Sequence, residues 1–198
     1  CQIVIDKKSI FDRCDMIIKV KEPQPSEYDL FKEGQILFTY LHLAAEKNLA
    51  EALVKRKVTG IAYESIEDKH GGLPLLRPMS EIAGRLAVQE GAKYLEKHYG
   101  GRGILLGGVP GVKKGKVVII GGGIVGANAC KMAVGLGAEV SILDVSAARL
   151  AYLDDIFDNK ITTLYSTREN ILNEISTADL VIGAVLIPGR KAPHLVRR

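Results

Sequence analysis

No run in this sequence approaches the roughly 18 consecutive apolar residues that a membrane span requires. Charge excess of either sign is small: 27 Lys and Arg face 23 Asp and Glu, a formal net charge of +4 spread along the chain. A basic run, an aromatic-and-basic RNA motif and zinc-finger spacing are all lacking, so nucleic acid is not an expected partner, and neither is a membrane. Cysteine is scarce. Cys1, Cys14 and Cys130 are odd in number and far apart, which argues against a disulfide scaffold or a zinc site and points to a reducing cytoplasm. The basic start, apolar core and small-residue cleavage site of a secretory signal are lacking too. Glycine (21) and proline (7) are scattered rather than periodic. What is present, 47% hydrophobic and 25% charged residues in 198, is the balance of a globular protein with ample length for a core.

Short apolar runs alternate with helical periodicity. The first stretch predicts strands over 15–21, 35–40 and 58–63, with Pro23 stopping the first. A helix is expected over 43–57, where Leu49, Ala52, Leu53 and Lys57 fall near helical spacing. A loop with Gly71-Gly72 and two prolines follows over 68–78. Ser80 then opens a long helix over 81–99, with Lys97 and His98 near its end and Gly100-Gly101 closing it. After a glycine-rich loop over 107–115, strands are expected over 117–120, 139–143, 161–165 and 179–182, with helices over 124–136, 147–157 and 168–175 between them. This reads as an α/β chain with mainly parallel sheets. Its expected parts are a piece of one domain over 1–79, a connecting helix over 80–100 and a dinucleotide-binding domain over 101–198. Four strands stand where such a domain usually has six, and the chain starts at Cys1 without an initiator Met. Both ends therefore read as cuts within a longer polypeptide.

The strongest motif is Val117-Val118-Ile119-Ile120-Gly121-Gly122-Gly123-Ile124-Val125-Gly126. Gly121, Gly123 and Gly126 fill G-x-G-x-x-G between a β-branched strand and a helix. The first glycine allows a tight turn, the second a close approach to a pyrophosphate, the third close packing of helix on strand. The helix N-terminus offers free N–H groups to phosphates. Asp144 ends the next strand, about twenty residues on, where a carboxylate accepts from ribose hydroxyls and repels a 2′-phosphate; NAD is thus the expected cofactor. Arg149 pulls the other way, because a nearby cation accommodates a phosphate. A packing-only glycine turn is the plainer alternative.

Lys21 and His42 each fall at or just past the C-terminal end of an expected strand, the edge where open α/β sheets bind ligands. A lysine anchors a carboxylate or carbonyl, and a histidine moves a proton near neutral pH. Position alone reads nearly as well as a solvated strand end and a satisfied loop histidine. His70, His98 and His194 sit in a polar loop, a helix end and a basic tail, and Cys130 reads as a small core residue. No cluster has metal-ligand spacing, so no metal is expected, and no G-x-S-x-G elbow occurs.

The segments KVKEP (19–23), GQILFTYLHLAA (34–45), PLLRPMSEIAGRLA (74–87), GGVPGV (107–112) and DLVIGAVLIPG (179–189), in this order and spacing, resemble the alanine dehydrogenase family through nearly the whole chain. The nucleotide-binding part of proton-translocating transhydrogenases is related but fits KVKEP and GGVPGV less well. The resemblance implies two Rossmann-like α/β domains, both incomplete in this chain, with the active site in the cleft between them, and a hexameric cytoplasmic enzyme. It implies reversible conversion of L-alanine, water and NAD to pyruvate, ammonium and NADH. Lys21 matches the family's pyruvate-binding lysine and His42 its catalytic histidine. Ser80, Ile124, Val125, Asp144, Arg149, Ser166, Val185 and Leu186 match its cofactor-binding positions. The family's substrate-binding arginine and catalytic aspartate have no counterpart in this chain, so the chain alone is expected to be inactive. The competing readings are a transhydrogenase nucleotide subunit, which would bind NADH without pyruvate dependence, and a noncatalytic NAD-binding module.

Overall fold

The computed structural model describes residues 2–187 and 192–196. The chain forms two compact units, one of Cys1–Leu76 and one built on Arg77–Ile187.

The first unit carries a three-stranded parallel sheet in the order β1 (Met16–Ile18), β2 (Ile36–Thr39), β3 (Thr59–Ala62). Helices α1 (Lys7–Arg13) and α2 (Lys47–Arg56) complete it. Asp6 caps α1 by accepting from the Lys8 and Ser9 N–H groups at 3.2 and 3.0 Å, the usual device for the orphan donors of a first turn. Leu37 and Leu41 are buried with Leu49 and Leu53, which lie four apart on one face of α2. Phe11 meets Phe31 edge to face at 5.0 Å. Buried Gln35 is satisfied, donating to the carbonyls of Phe11 and Cys14 at 2.9 and 2.7 Å.

Helix α2 starts four residues later than its periodicity predicts. The chain over 42–46 is spent on a turn in which the His42 carbonyl accepts from Ala45 and Glu46. The first strand is also shorter than expected, because past Ile18 the backbone pairs with β2 only intermittently, through Lys19 and Val20.

The second unit holds a four-stranded parallel sheet in the order β6 (Thr162–Tyr165), β5 (Glu139–Asp144), β4 (Lys116–Ile120), β7 (Leu180–Gly183). In chain order that is third, second, first, fourth, so the direction of winding reverses between β4 and β7. β4 is buried on both faces, and its alternate residues separate two cores. Val117 and Ile119 pack with Val88, Ala129, Cys130, Ala133, Leu153 and Phe157. Val118 and Ile120 pack with Leu143 and Ile171. The first core lies under α3 (Arg77–Tyr94), α4 (Ile124–Gly135) and α5 (Ala147–Phe157), the second under α6 (Arg168–Thr177).

Small residues recur on the inner face of α4, at Gly126, Ala129, Cys130 and Ala133, and let it approach the sheet closely. Burial pushes the Cys130 thiol up to about 12, so it behaves as a small apolar group.

The long helix differs from its expected bounds. It begins at Arg77, so Ser80 lies inside its first turn rather than capping it. Pro78 is tolerated because an N–H so near a helix start has no intrahelical acceptor. The helix ends at Tyr94, after which Lys97–Tyr99 form a 3-10 turn closed by Gly100 at φ +81°. Rather than only linking domains, α3 clusters with the second unit. A Cβ at Gly84 would stand 2.2 Å from the Val125 carbonyl oxygen, so the two helices touch backbone to backbone.

Candidate functional site

In the second unit the candidate residues converge where β4 meets the start of α4, at the C-terminal edge of the sheet and beside the reversal of winding. That crevice is where open parallel sheets take ligands. Gly121 turns the chain at φ +105°, and its N–H donates to the Leu143 carbonyl at 2.7 Å. A Cβ there would meet the Ala184 carbonyl at 2.8 Å and Val185 Cγ2 at 3.0 Å. At Gly126 a Cβ would lie 1.9 Å from the Gly121 carbonyl oxygen. Gly123, the N-cap of α4, differs: its φ is −63° and nothing stands within 4 Å of its Cβ direction. Two of the three glycines are thus demanded by protein packing, and the third faces open space at a helix N-terminus. That arrangement fits a pyrophosphate and its backbone approach.

Asp144 ends β5 and braces this turn. Its Oδ2 accepts from the Gly122 N–H at 2.6 Å and its Oδ1 from the Ser146 N–H at 2.9 Å. The Arg149 guanidinium donates to the Gly122 carbonyl and, at 3.3 Å, to the Gly123 carbonyl, and lies over the Tyr152 ring at 4.8 Å. Its fork is directed at the turn itself, which weakens the case, open from sequence, that it awaits a 2′-phosphate.

Ser166 follows β6, and its N–H donates to the Asp144 carbonyl at 3.0 Å. Val185 is half-buried beside Gly121, whereas Leu186 is 60% exposed. Ile124 and Val125 form the first turn of α4. Ser80 lies one turn before Gly84 on the face of α3 that meets that turn. A cavity of about 330 Å³ beside α4 is lined by Ile124 and Arg149 together with Arg77, Arg85 and Lys131.

In the first unit the structure places Lys21 and His42 at the C-terminal edge of β1 and β2, which are adjacent and parallel. The Thr39 hydroxyl donates to the Lys21 carbonyl at 3.0 Å, and the Tyr40 N–H to the Val20 carbonyl at 3.4 Å. These bonds hold the KVKEP backbone against the strand that leads to His42. The two lysines of that segment differ. Lys19 is ion-paired with Glu27 at 2.6 Å, whereas Lys21 is exposed and makes no ion pair with the described residues.

His42 sits at φ +50°, in the left-handed region, and its ring stacks on Tyr40 at 6.0 Å and 10°. Tyr40 is buried, and its hydroxyl donates to the Leu75 carbonyl at 2.6 Å. Burial first, then the nearby Glu64 charge, raise its phenol above the usual value. Glu64 escaped the sequence reading. Its only signal there is an acidic residue just past the end of a third strand.

A parallel α/β chain whose second unit has the strand order and glycine turn of a Rossmann fold is the class these features define. Two matches narrow it: "Alanine dehydrogenase/PNT, N-terminal domain" over residues 1–83 and "Alanine dehydrogenase/PNT, C-terminal domain" over 87–198. The chain belongs to the alanine dehydrogenase/PNT family. It is 63% identical over 195 residues to the alanine dehydrogenase of Methanococcus maripaludis, covering 98% of this chain and 52% of that protein. A solved L-alanine dehydrogenase superposes with a TM-score of 0.86 at 57% identity, over 99% of this chain and 54% of that one. A transhydrogenase from Sinorhizobium meliloti superposes at 0.73 with 23% identity, over 96% of this chain and 55% of that one, a likeness of fold alone. The chain spans about half the length of the curated relatives it matches.

Proposed function

We propose that the protein carrying this chain is an NAD-dependent L-alanine dehydrogenase, converting L-alanine, NAD and water reversibly to pyruvate, ammonium and NADH. The observation that carries the reading is the pair Lys21 and His42 on adjacent strand ends of a chain so similar to alanine dehydrogenases. A module that only binds a cofactor has no need of either residue.

NAD, when bound, supplies the hydride acceptor. The second unit would hold it with the Gly121–Gly126 turn and the first N–H groups of α4 at the phosphates, and with Asp144 at the ribose hydroxyls. For Asp144 to do so, ribose must share or displace its present bonds to Gly122 and Ser146. Ser80, Ile124, Val125, Arg149, Ser166, Val185 and Leu186 complete the cofactor-contacting set in this reading.

In the first unit the Lys21 ammonium would grip the substrate carboxylate or carbonyl oxygen through charge-assisted hydrogen bonds. In the aminating direction ammonia adds to pyruvate. His42 would deliver a proton to the carbinol oxygen so that it departs as water, and would remove that proton's counterpart from water in reverse. The resulting iminium carbon is the hydride acceptor in that direction and becomes the α-carbon of alanine. The reading includes a homo-hexameric, cytoplasmic enzyme, in keeping with its unpaired Cys14 and Cys130.

The test is oxidation of NADH by the full-length protein, with pyruvate and ammonium varied and NADPH run in parallel. Turnover requiring all three reactants is the expected result. NADH binding with no pyruvate- and ammonium-dependent oxidation would overturn the proposal.

A further inference from the structure

We infer that Glu64 is a positioning residue that fixes the backbone at His42 and thereby aims its imidazole. The inference rests on the proposed role of His42. Glu64 lies in a three-residue 3-10 turn, Tyr63–Ser65, directly after β3. β2 and β3 run parallel with Thr39 opposite Ala62. Two residues further along each strand, Leu41 therefore comes beside Glu64. The pairing is made by the side chain: the carboxylate accepts from the Leu41 N–H at 3.0 and 3.3 Å and from the His42 N–H at 2.7 Å. Both oxygens are used, and the acceptor is anionic, which makes these the stronger kind of hydrogen bond.

The turn needs such an anchor. A non-glycine residue held at φ +50° persists only where its surroundings over-determine it. Glu64 holds the N–H side of His42, while the His42 carbonyl accepts from Ala45 and Glu46 at 2.9 and 3.2 Å. The 3-10 turn is itself fixed by Tyr63, packed edge-on against Phe38 at 4.4 Å and Tyr40 at 5.0 Å. Tyr40 in turn stacks on the imidazole. Without the carboxylate, the two N–H groups lose their acceptor and His42 loses what holds it left-handed. A reacting group misplaced by about 1 Å loses rate by about 100-fold.

The experiment uses the full-length protein with Glu64→Ala, Glu64→Gln, His42→Ala and the double variant His42→Ala/Glu64→Ala. Measured are kcat, KM for pyruvate, NADH affinity and hydrogen–deuterium exchange over residues 40–46. Glu64→Ala should lower kcat by about 10- to 100-fold, keep NADH affinity within about twofold and accelerate exchange at the turn. Glu64→Gln, which keeps a carbonyl acceptor, should recover part of the loss. In the His42→Ala background, removing Glu64 should change the residual rate by less than about threefold, because residues acting through one group are not additive. An equal loss in that background would show that Glu64 acts independently of His42 and overturn the inference. So would unchanged exchange over 40–46, or a near-normal kcat in Glu64→Ala while His42→Ala is inactive. Normal turnover in His42→Ala would instead sink the role of His42, and the exchange readout would still report whether Glu64 holds the turn.

Discussion

Replacing Gly126 with alanine separates packing from ligand contact in the glycine turn. The added Cβ would stand 1.9 Å from the Gly121 carbonyl oxygen, where 3.4 Å is an ordinary approach, so α4 must recede from the turn by about 1.5 Å. The neighbours cannot yield cheaply. The obstructing atom is backbone, and Gly121 is tied to Leu143 and backed by Ala184. Overpacking of this kind costs about 1–3 kcal/mol. For a unit built on Arg77–Ile187 that is a fall in Tm of about 4 °C per kcal/mol.

The same shift moves the first N–H groups of α4 away from where phosphates would bind, so NADH affinity should fall by about 10-fold or more. Gly123→Ala is the control. With φ −63° and open space, its methyl should leave Tm within about 1 °C. It would nevertheless occupy the space reserved for the cofactor and weaken NADH. Thermal unfolding of the full-length variants, with and without NADH, and fluorescence titration of NADH read both effects. A Gly126→Ala protein with unchanged Tm and affinity would refute the packing argument, and a Gly123→Ala protein that binds NADH normally would refute the placement of the pyrophosphate.

Three further outcomes are expected. Lys21→Ala should reduce pyruvate-dependent turnover by about 100-fold while sparing NADH binding, since Lys21 stands in the other unit, and steady-state kinetics beside a binding titration would check it. Asp144→Ser removes the charge opposed to a 2′-phosphate, so the NADPH-to-NADH ratio of kcat/KM should rise by about 10-fold or more; an unchanged ratio would mean Asp144 only braces the turn through Gly122 and Ser146. Burial works to raise the Glu27 carboxyl, but Lys19 and the Gln24 N–H outweigh it and hold it below the usual value. Its stabilising contribution should therefore be full above the unfolded carboxyl value of about 4.3 and vanish as pH falls through the lowered folded value. The Tm difference between wild type and Glu27→Gln, followed from pH 7 down to about pH 2.5, should shrink in that window and not before.

The second unit was the more legible half. Its β4 is a short β-branched run, α4 places Gly126, Ala129, Cys130 and Ala133 at i, i+3, i+4 and i+7, and α5 places Leu150, Leu153 and Phe157 at i, i+3 and i+7, so local pattern and tertiary packing agree. The expected bounds of α5 coincide with those found, 147–157. Bounds failed where side chains or loops overrode the pattern. The residues just before α2 continue a helical spacing but form the turn after His42, and Pro78 reads as a breaker yet sits inside a first turn, where it is harmless. Of the site, residues carrying a local signature were visible: three glycines, and an aspartate ending the following strand. Glu64 showed only as an acidic residue just past a strand end, because its partners are 22 and 23 residues away and are backbone groups of no distinctive sequence.

By itself the sequence determined the alternation of strand and helix, the glycine turn and the lysine and histidine at two strand ends. Each depends on interactions within a few residues: periodicity, turn chemistry and capping. Only the tertiary structure decided which partners those residues have. Parallel register brought Glu64 beside His42 and held that histidine left-handed. The close approach of α4 to the turn left Gly123 as the glycine facing open space, and the convergence of β5 and α5 on the same turn turned Arg149 toward its carbonyls. Parallel strands are joined by crossovers rather than tight turns, so residues that meet across their edges are distant in sequence. No local pattern records that meeting.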